Sequence, residues 1–174
     1  MEIKKTKINR TTITLYKTML ELLESQSFDD ITVNDICQSA MISRSTFYSY
    51  FNDKYELVIF TLQQERAALE IVKGKNIEQN LLKLLYRFKE KKCVYKNLLL
   101  AQTNRELSQM IMEHTGKFVR HAIEKTAVSE EALNLQTTFC TSGISGIVIW
   151  WLKNDFPITE EALTQYILDF TNIT

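Results

Sequence analysis

The chain has 174 residues, 45% of them hydrophobic and 24% charged, with 21 basic and 21 acidic side chains. That length holds one good-sized core or a small domain plus a medium one, and the balanced charge excludes a histone-like, sequence-blind polycation. One Pro and four Gly leave little punctuation for an all-β chain, so an all-α fold of long helices is expected.

In chain order, residues 7–25 predict a first helix with Leu15, Met19 and Leu22 on one face and Thr12, Tyr16 and Leu23 beside it. Thr32 and Asp35 form a T-x-x-D capping box, and Ile31 and Ile36 a hydrophobic staple, so a second helix starts at Val33. Val33, Ile36, Cys37 and Ala40 fall at i, i+3, i+4 and i+7 and make its buried stripe. Met41-Ile42-Ser43 has the length of a helix-turn-helix turn, with Ser43 as the next cap. The helix that follows, Arg44-Ser45-Thr46-Phe47-Tyr48-Ser49-Tyr50, carries no acid. Phe47 and Phe51 are spaced to anchor it, which leaves Arg, Ser, Thr and Tyr side chains of the kind that bond base edges and phosphates. The expected DNA contacts are Thr32, Ser43, Arg44, Ser45, Thr46, Tyr48, Ser49, Tyr50 and Lys54, with Arg44 reading guanine and Lys54 a phosphate.

Charge is segregated along this region. Residues 1–20 hold Lys4, Lys5, Lys7, Arg10 and Lys17 against Glu2, whereas residues 21–42 hold five acids and no base. One DNA-facing side gives this pattern, and so does a flexible basic tail. A plain capped helical hairpin would explain the caps but not the Arg/Ser/Thr/Tyr face.

The pattern D-I-x-x-x-A-x-I-S-R-S-T-F-Y-x-Y-F-x-x-K, with Ile36, Ala40, Ser43 to Tyr48, Phe51 and Lys54 in place, resembles the N-terminal DNA-binding domain of the tetracycline-repressor (TetR) family. The resemblance covers roughly residues 8–60 and implies a helix-turn-helix domain over 1–55, an effector-binding and dimerisation domain over 56–174, and a fourth helix linking them. Many members carry Gly where this chain has Met41, in a turn where positive φ favours Gly.

Asn52 or Asp53 is expected to cap the fourth helix, about 53–72, and Lys73-Gly74-Lys75-Asn76 to break it. Further helices are expected over 77–91, 93–106, 108–127, 130–154 and 159–172, the last capped by Thr159 behind Pro157. The helix over 130–154 reads as apolar almost all round, with small Ser142, Gly143, Ser145 and Gly146 ahead of a Trp150-Trp151 pair. It is expected to pair with the last helix and their copies as a four-helix bundle, through Gly143, Gly146, Ile147, Trp151, Leu163, Tyr166, Ile167 and Phe170; filling a monomer core is the alternative. The segment GISGIVIWWLKNDFP is similar to a TetR subgroup that includes regulators of dihydroxyacetone kinase operons.

The resemblance also implies an effector pocket in the second domain. Its candidates are Tyr86, Phe88, Tyr95, Leu99, Gln102, Met110, Phe118, Phe139 and Trp150, each of which also suits plain core, and Arg105 with Gln102 would orient a polar group. His114, His121 and Glu124 share a face without a third strong ligand, so neither metal nor cofactor is expected. There is no nucleophile constellation, phosphate-cradling loop or pair of acids in a polar setting, so the chain is not expected to be an enzyme. The N-terminus lacks an apolar signal core, and the run Ile144–Leu152 is far short of the roughly 20 residues a membrane span needs. Cys37, Cys93 and Cys140 are odd in number and widely spaced, which fits reduced thiols in the cytoplasm.

The expected function is a dimeric regulator, a repressor, that a small-molecule effector releases from a palindromic double-stranded operator. Effector binding would swing the fourth helices and spoil the spacing of the recognition helices. The alternative is a helix-turn-helix adaptor or co-activator working through a protein or metabolite partner.

Overall fold

The computed structural model describes residues 8–70, 77–100, 105–124 and 127–171. Among them the chain is helical with no strand: α1 (Arg10–Ser25), α2 (Val33–Ser39), α3 (Arg44–Tyr50), α4 (Lys54–Ala68), α5 (Ile77–Glu90), α6 (Lys92–Leu99), α7 (Arg105–Ile123), α8 (Glu130–Lys153) and α9 (Glu160–Thr171). The all-α expectation holds. The break anticipated at 73–76 lies outside the described residues.

Caps decide most of the boundaries. Asn9 opens α1, accepting from Thr12 N at 3.0 Å while its own N–H donates to Thr12 Oγ1 at 2.9 Å. This reciprocal box starts the helix at Arg10 rather than residue 7. At α4 the choice between Asn52 and Asp53 falls to Asp53, whose Oδ1 accepts from Glu56 N at 2.8 Å. Ser129 accepts from Ala132 N at 3.1 Å, and Glu130 and Glu131 place negative charge at the positive end of α8. Thr159 does the same for α9 through Ala162 N at 3.2 Å.

The chain divides into two compact units, the first carrying α1–α4 with α6 and the second α5 with α7–α9. This division differs from a cut after residue 55, since both α4 and α6 go with the helix-turn-helix. In the first unit α1 packs on α2 and α4, and α2 on α3. Leu15, Met19, Leu23, Phe28, Ile31, Ile36, Phe47, Phe51 and Leu57 are fully buried there. Two hydrogen bonds, one from backbone and one from a side chain, fasten α6 to this unit: Phe28 N donates to Asn97 O at 3.0 Å, and Asn97 Nδ2 to Leu23 O at 2.9 Å. Periodicity could not reveal either bond, because each pairs residues about seventy positions apart.

In the second unit α7 packs on α8, α5 on α9, and α8 on α9. Val119, Ile123, Leu133 and Cys140 form a core cluster with Ile77, Ala122, Ala127 and Ile144 against it. Trp151 is fully buried, and its indole N–H donates to Ile158 O at 2.8 Å. α8 ends in a Schellman turn: Phe156 N reaches Trp151 O at 2.9 Å and Asp155 N reaches Leu152 O at 3.3 Å. Asp155 and Phe156 take φ of 60° and 62° there, and the Phe156 ring stands edge-on to Trp151 with centroids 4.7 Å apart. No helix among the described residues is long and apolar enough to cross a membrane.

Candidate nucleic-acid interface

The helix-turn-helix is built from two seven-residue helices, each opened by a side-chain cap and closed by backbone hydrogen bonds. Thr32 N donates to Asp35 Oδ2 at 2.8 Å and Asp35 N to Thr32 Oγ1 at 3.2 Å, the expected box. The bonds that the Thr32 hydroxyl and then the Thr32 N–H donate to its carboxylate hold Asp35 below the ordinary aspartate value of 3.8. The Thr32 hydroxyl, 2.5 Å from Asp35 Oδ2, donates to that carboxylate.

α2 also closes in a Schellman turn, with Ile42 N on Cys37 O at 3.0 Å and Met41 N on Gln38 O at 3.1 Å. Met41 takes the left-handed position, φ 52°, with its side chain 92% exposed. The turn thus takes the positive φ that favours Gly, and this chain holds that conformation with Met41. Ser43 then caps α3, accepting from Thr46 N at 3.1 Å, with its hydroxyl 2.8 Å from those of Ser45 and Thr46.

Across α3 the partition between anchor and free face is sharp. Phe47 is fully buried and Phe51, next in the chain after α3, is nearly so; their rings stand 6.0 Å apart. Arg44, Ser45, Tyr48 and Ser49 are exposed, while Thr46 and Tyr50 are half-buried. Ser49 Oγ donates back to Thr46 O at 2.7 Å. Arg44 Nη2 donates to Tyr48 Oη at 3.4 Å, a pairing that sequence reasoning missed although the i, i+4 spacing permits it.

Lys54 is employed differently from the phosphate contact expected of it. Its ammonium donates to Phe28 O at 2.8 Å, Asp29 O at 3.1 Å and Ile31 O at 2.7 Å, and stands 4.6 Å from the Phe28 ring centroid. An ammonium has three donors, and all three are used to fasten the α1–α2 loop. Burial lowers its pKa, and Asp29, Asp30 and Asp35 oppose that shift.

The other candidate residues are dispersed. Tyr95 and Leu99 lie on α6 in the first unit, Tyr95 buried and Leu99 half-buried. Tyr86, Phe88, Met110 and Phe118 belong to the second unit, where the exposed Tyr86 donates its hydroxyl to Glu161 Oε1. Phe139 and Trp150 are exposed on α8, so neither is a wall of an enclosed space within the described chain. Gln102 lies outside the described residues. No group of three or more potential metal ligands occurs among the described residues, and His121 Nδ1 lies 2.9 Å from Glu124 Oε1.

The residues named for the bundle also separate. Trp151, Leu163 and Ile167 are internal core, and Ile147 is half-buried. Gly143, Gly146, Tyr166 and Phe170 are on the surface. Gly143 and Gly146 belong to an exposed stripe of Leu135, Phe139, Ser142, Gly143, Gly146 and Trp150, at steps of three and four along α8. Leu135 is 73% exposed and Phe139 70%, on the opposite side from Leu133, Cys140, Val148 and Trp151. A Cβ at Gly143 or Gly146 would meet nothing within 4 Å.

With this geometry in hand, two family profiles match the chain. One, described as "Transcriptional regulator C-terminal region", covers residues 75–172, more than half the chain; the other, "Bacterial regulatory proteins, tetR family", covers residues 15–59 and so spans the helix-turn-helix. The chain belongs to the TetR family of transcriptional regulators.

This TetR-family chain is 32% identical over 94 residues to the HTH-type dhaKLM operon transcriptional activator DhaS of Lactococcus lactis, covering 52% of this chain and 49% of that protein. It is 20% identical over 167 residues to the HTH-type transcriptional regulator YxbF of Bacillus subtilis, covering 88% of this chain and 43% of that protein. Each match thus spans less than half the length of the curated relative. Among solved structures, a TetR regulator from Streptococcus agalactiae 2603V aligns with a TM-score of 0.69 at 23% identity over 93% of each chain. The dihydroxyacetone kinase operon activator DhaS aligns with a TM-score of 0.65 at 21% identity over 94% of each. These structural likenesses establish the fold. The TetR-family relatives are transcriptional regulators rather than enzymes.

Proposed function

We propose that the chain is a homodimeric regulator that reads a palindromic operator through α3 and leaves it when a small-molecule effector binds its second domain. The observation that carries this reading is the outward face of α3. Arg44, Ser45 and Ser49 are exposed with no acidic residue on the helix, and Phe47 fixes its orientation from inside. An arginine on such a helix has the fork geometry to take guanine O6 and N7 together. Ser43, Thr46, Tyr50 and the N-terminus of α2 at Thr32 supply backbone-positioning contacts in the same reading.

Dimerisation is supported by the free stripe on α8 with Tyr166 and Phe170 on α9. An uncovered apolar face of this extent favours association. A twofold pair would set two recognition helices about 34 to 36 Å apart, one helical turn of DNA. Family membership supports an effector, with Tyr86, Phe88, Met110 and Phe118 the candidates of the second unit, and release as a shift between DNA-competent and incompetent populations.

A second reading, a co-activator working through a protein or metabolite partner, draws support from the likeness to an operon activator. Selection of bound duplexes from a random pool separates the two. Enrichment of a palindrome supports the operator-reading dimer, whereas weak, steeply salt-dependent binding with no enriched sequence overturns it in favour of the co-activator.

A further inference from the structure

The contact between Arg44 and Tyr48 extends into the core. Arg44 Nη2 donates to Tyr48 Oη at 3.4 Å, and the guanidinium carbon stands 5.9 Å from the centroid of the same ring. The Tyr48 ring in turn meets the Phe47 ring edge-on, centroids 5.4 Å apart and planes at 89°. Phe47 is fully buried. A continuous path of contacts thus runs from the hydrophobic interior to the tip of an exposed arginine.

We infer that Tyr48 is the positioning residue for Arg44, holding the guanidinium in a restricted orientation before DNA arrives. This rests on the reading of Arg44 as the base-contacting residue. A free arginine side chain carries substantial rotamer entropy, part of which is lost when it docks. A partner on the same helix makes much of that loss in advance. The geometry leaves the fork usable, since a guanidinium has five N–H donors and Tyr48 occupies one, so two parallel donors remain for a bidentate pair. Tyr48 therefore influences which base is preferred without touching one. The competing role for the same side chain is a direct hydroxyl contact to phosphate, which would be blind to sequence.

The two roles separate in a double-mutant cycle on the full chain. The probes are the duplex enriched from a random pool and its single-base-pair variants, titrated at several salt concentrations. Arg44→Ala is expected to relax preference at one base pair, by on the order of tenfold. Tyr48→Leu is expected to relax the same base pair, with the salt slope unchanged, and to add nothing there in the Arg44→Ala background. Tyr48→Phe keeps the ring and is expected to retain part of the preference; it also serves as the conservative variant should Tyr48→Leu fail to fold. Uniform weakening of all duplexes by the Tyr48 variants, additive with Arg44→Ala, would overturn the positioning role and make Tyr48 a phosphate contact. If Arg44→Ala relaxes one base pair and the Tyr48 variants do not, the inference fails and base reading by Arg44 stands. If Arg44→Ala changes no preference, or the pool enriches no duplex, both fail together.

Discussion

At Met41 two unfavourable features coincide: a left-handed backbone, φ 52°, and a long apolar side chain almost fully in solvent. The left-handed region costs an L-residue about 1 to 2 kcal/mol, and Gly returns part of that gain as unfolded-state entropy. Met41→Gly should raise stability by about 0.5 to 1 kcal/mol, read as a higher urea midpoint with an unchanged slope. Lys54 works in the opposite direction. Its three carbonyl bonds fasten residues 28–31, so Lys54→Met should lower stability by about 2 kcal/mol. The salt slope of DNA binding should stay as in the parent, and a slope reduced by about one would return Lys54 to phosphate contact. Asp35 contributes to the pH dependence of stability. Its folded carboxyl titrates below 3.8, so its stabilising effect is fully present above the unfolded value and is lost as pH falls through the folded one. Acid unfolding of Asp35→Asn should accordingly show a weaker dependence on pH in that range.

Among the helices, α8 shows most clearly how one element serves two surfaces. One side buries Leu133, Cys140, Val148 and Trp151, and the other presents Leu135, Phe139, Gly143, Gly146 and Trp150. Read as a sequence, these two stripes merge into a helix apolar all round, which is why the bundle candidates mixed core residues with surface ones. Glycine resolves the ambiguity physically: nothing within the described chain approaches Gly146, so it is not required by the fold of the single copy. Gly146→Ala should stabilise the isolated chain by about 1 kcal/mol through helix propensity. If a second copy packs there, self-association weakens at the same time; thermal unfolding at high dilution and sedimentation across concentrations separate the two effects.

For the whole molecule, association is the property most exposed to test. Phe139→Glu places a charge on a residue that is 70% exposed in the single copy, so its cost to that copy's fold should fall within about 0.5 kcal/mol. Buried in a dimer, the same unpaired charge is strongly unfavourable. The expected result is a folded chain by circular dichroism that sediments as a monomer and binds the operator weakly. A variant that remains dimeric would remove this stripe from the interface. Local chemistry was legible from the start: the Thr32–Asp35 capping box, the Ser43 cap, the acid-free face of α3 and the apolar periods of α1, α2 and α9 each depend on residues within a few positions of one another. They determined the helix-turn-helix, the all-α class and the family resemblance. What only tertiary structure decided involves partners far apart in the chain. These include the attachment of α6 to the first unit through Asn97, the use of Lys54 on the α1–α2 loop, and the side of α8 left uncovered. Periodicity records that a face is apolar, but which surface covers it depends on packing between distant elements.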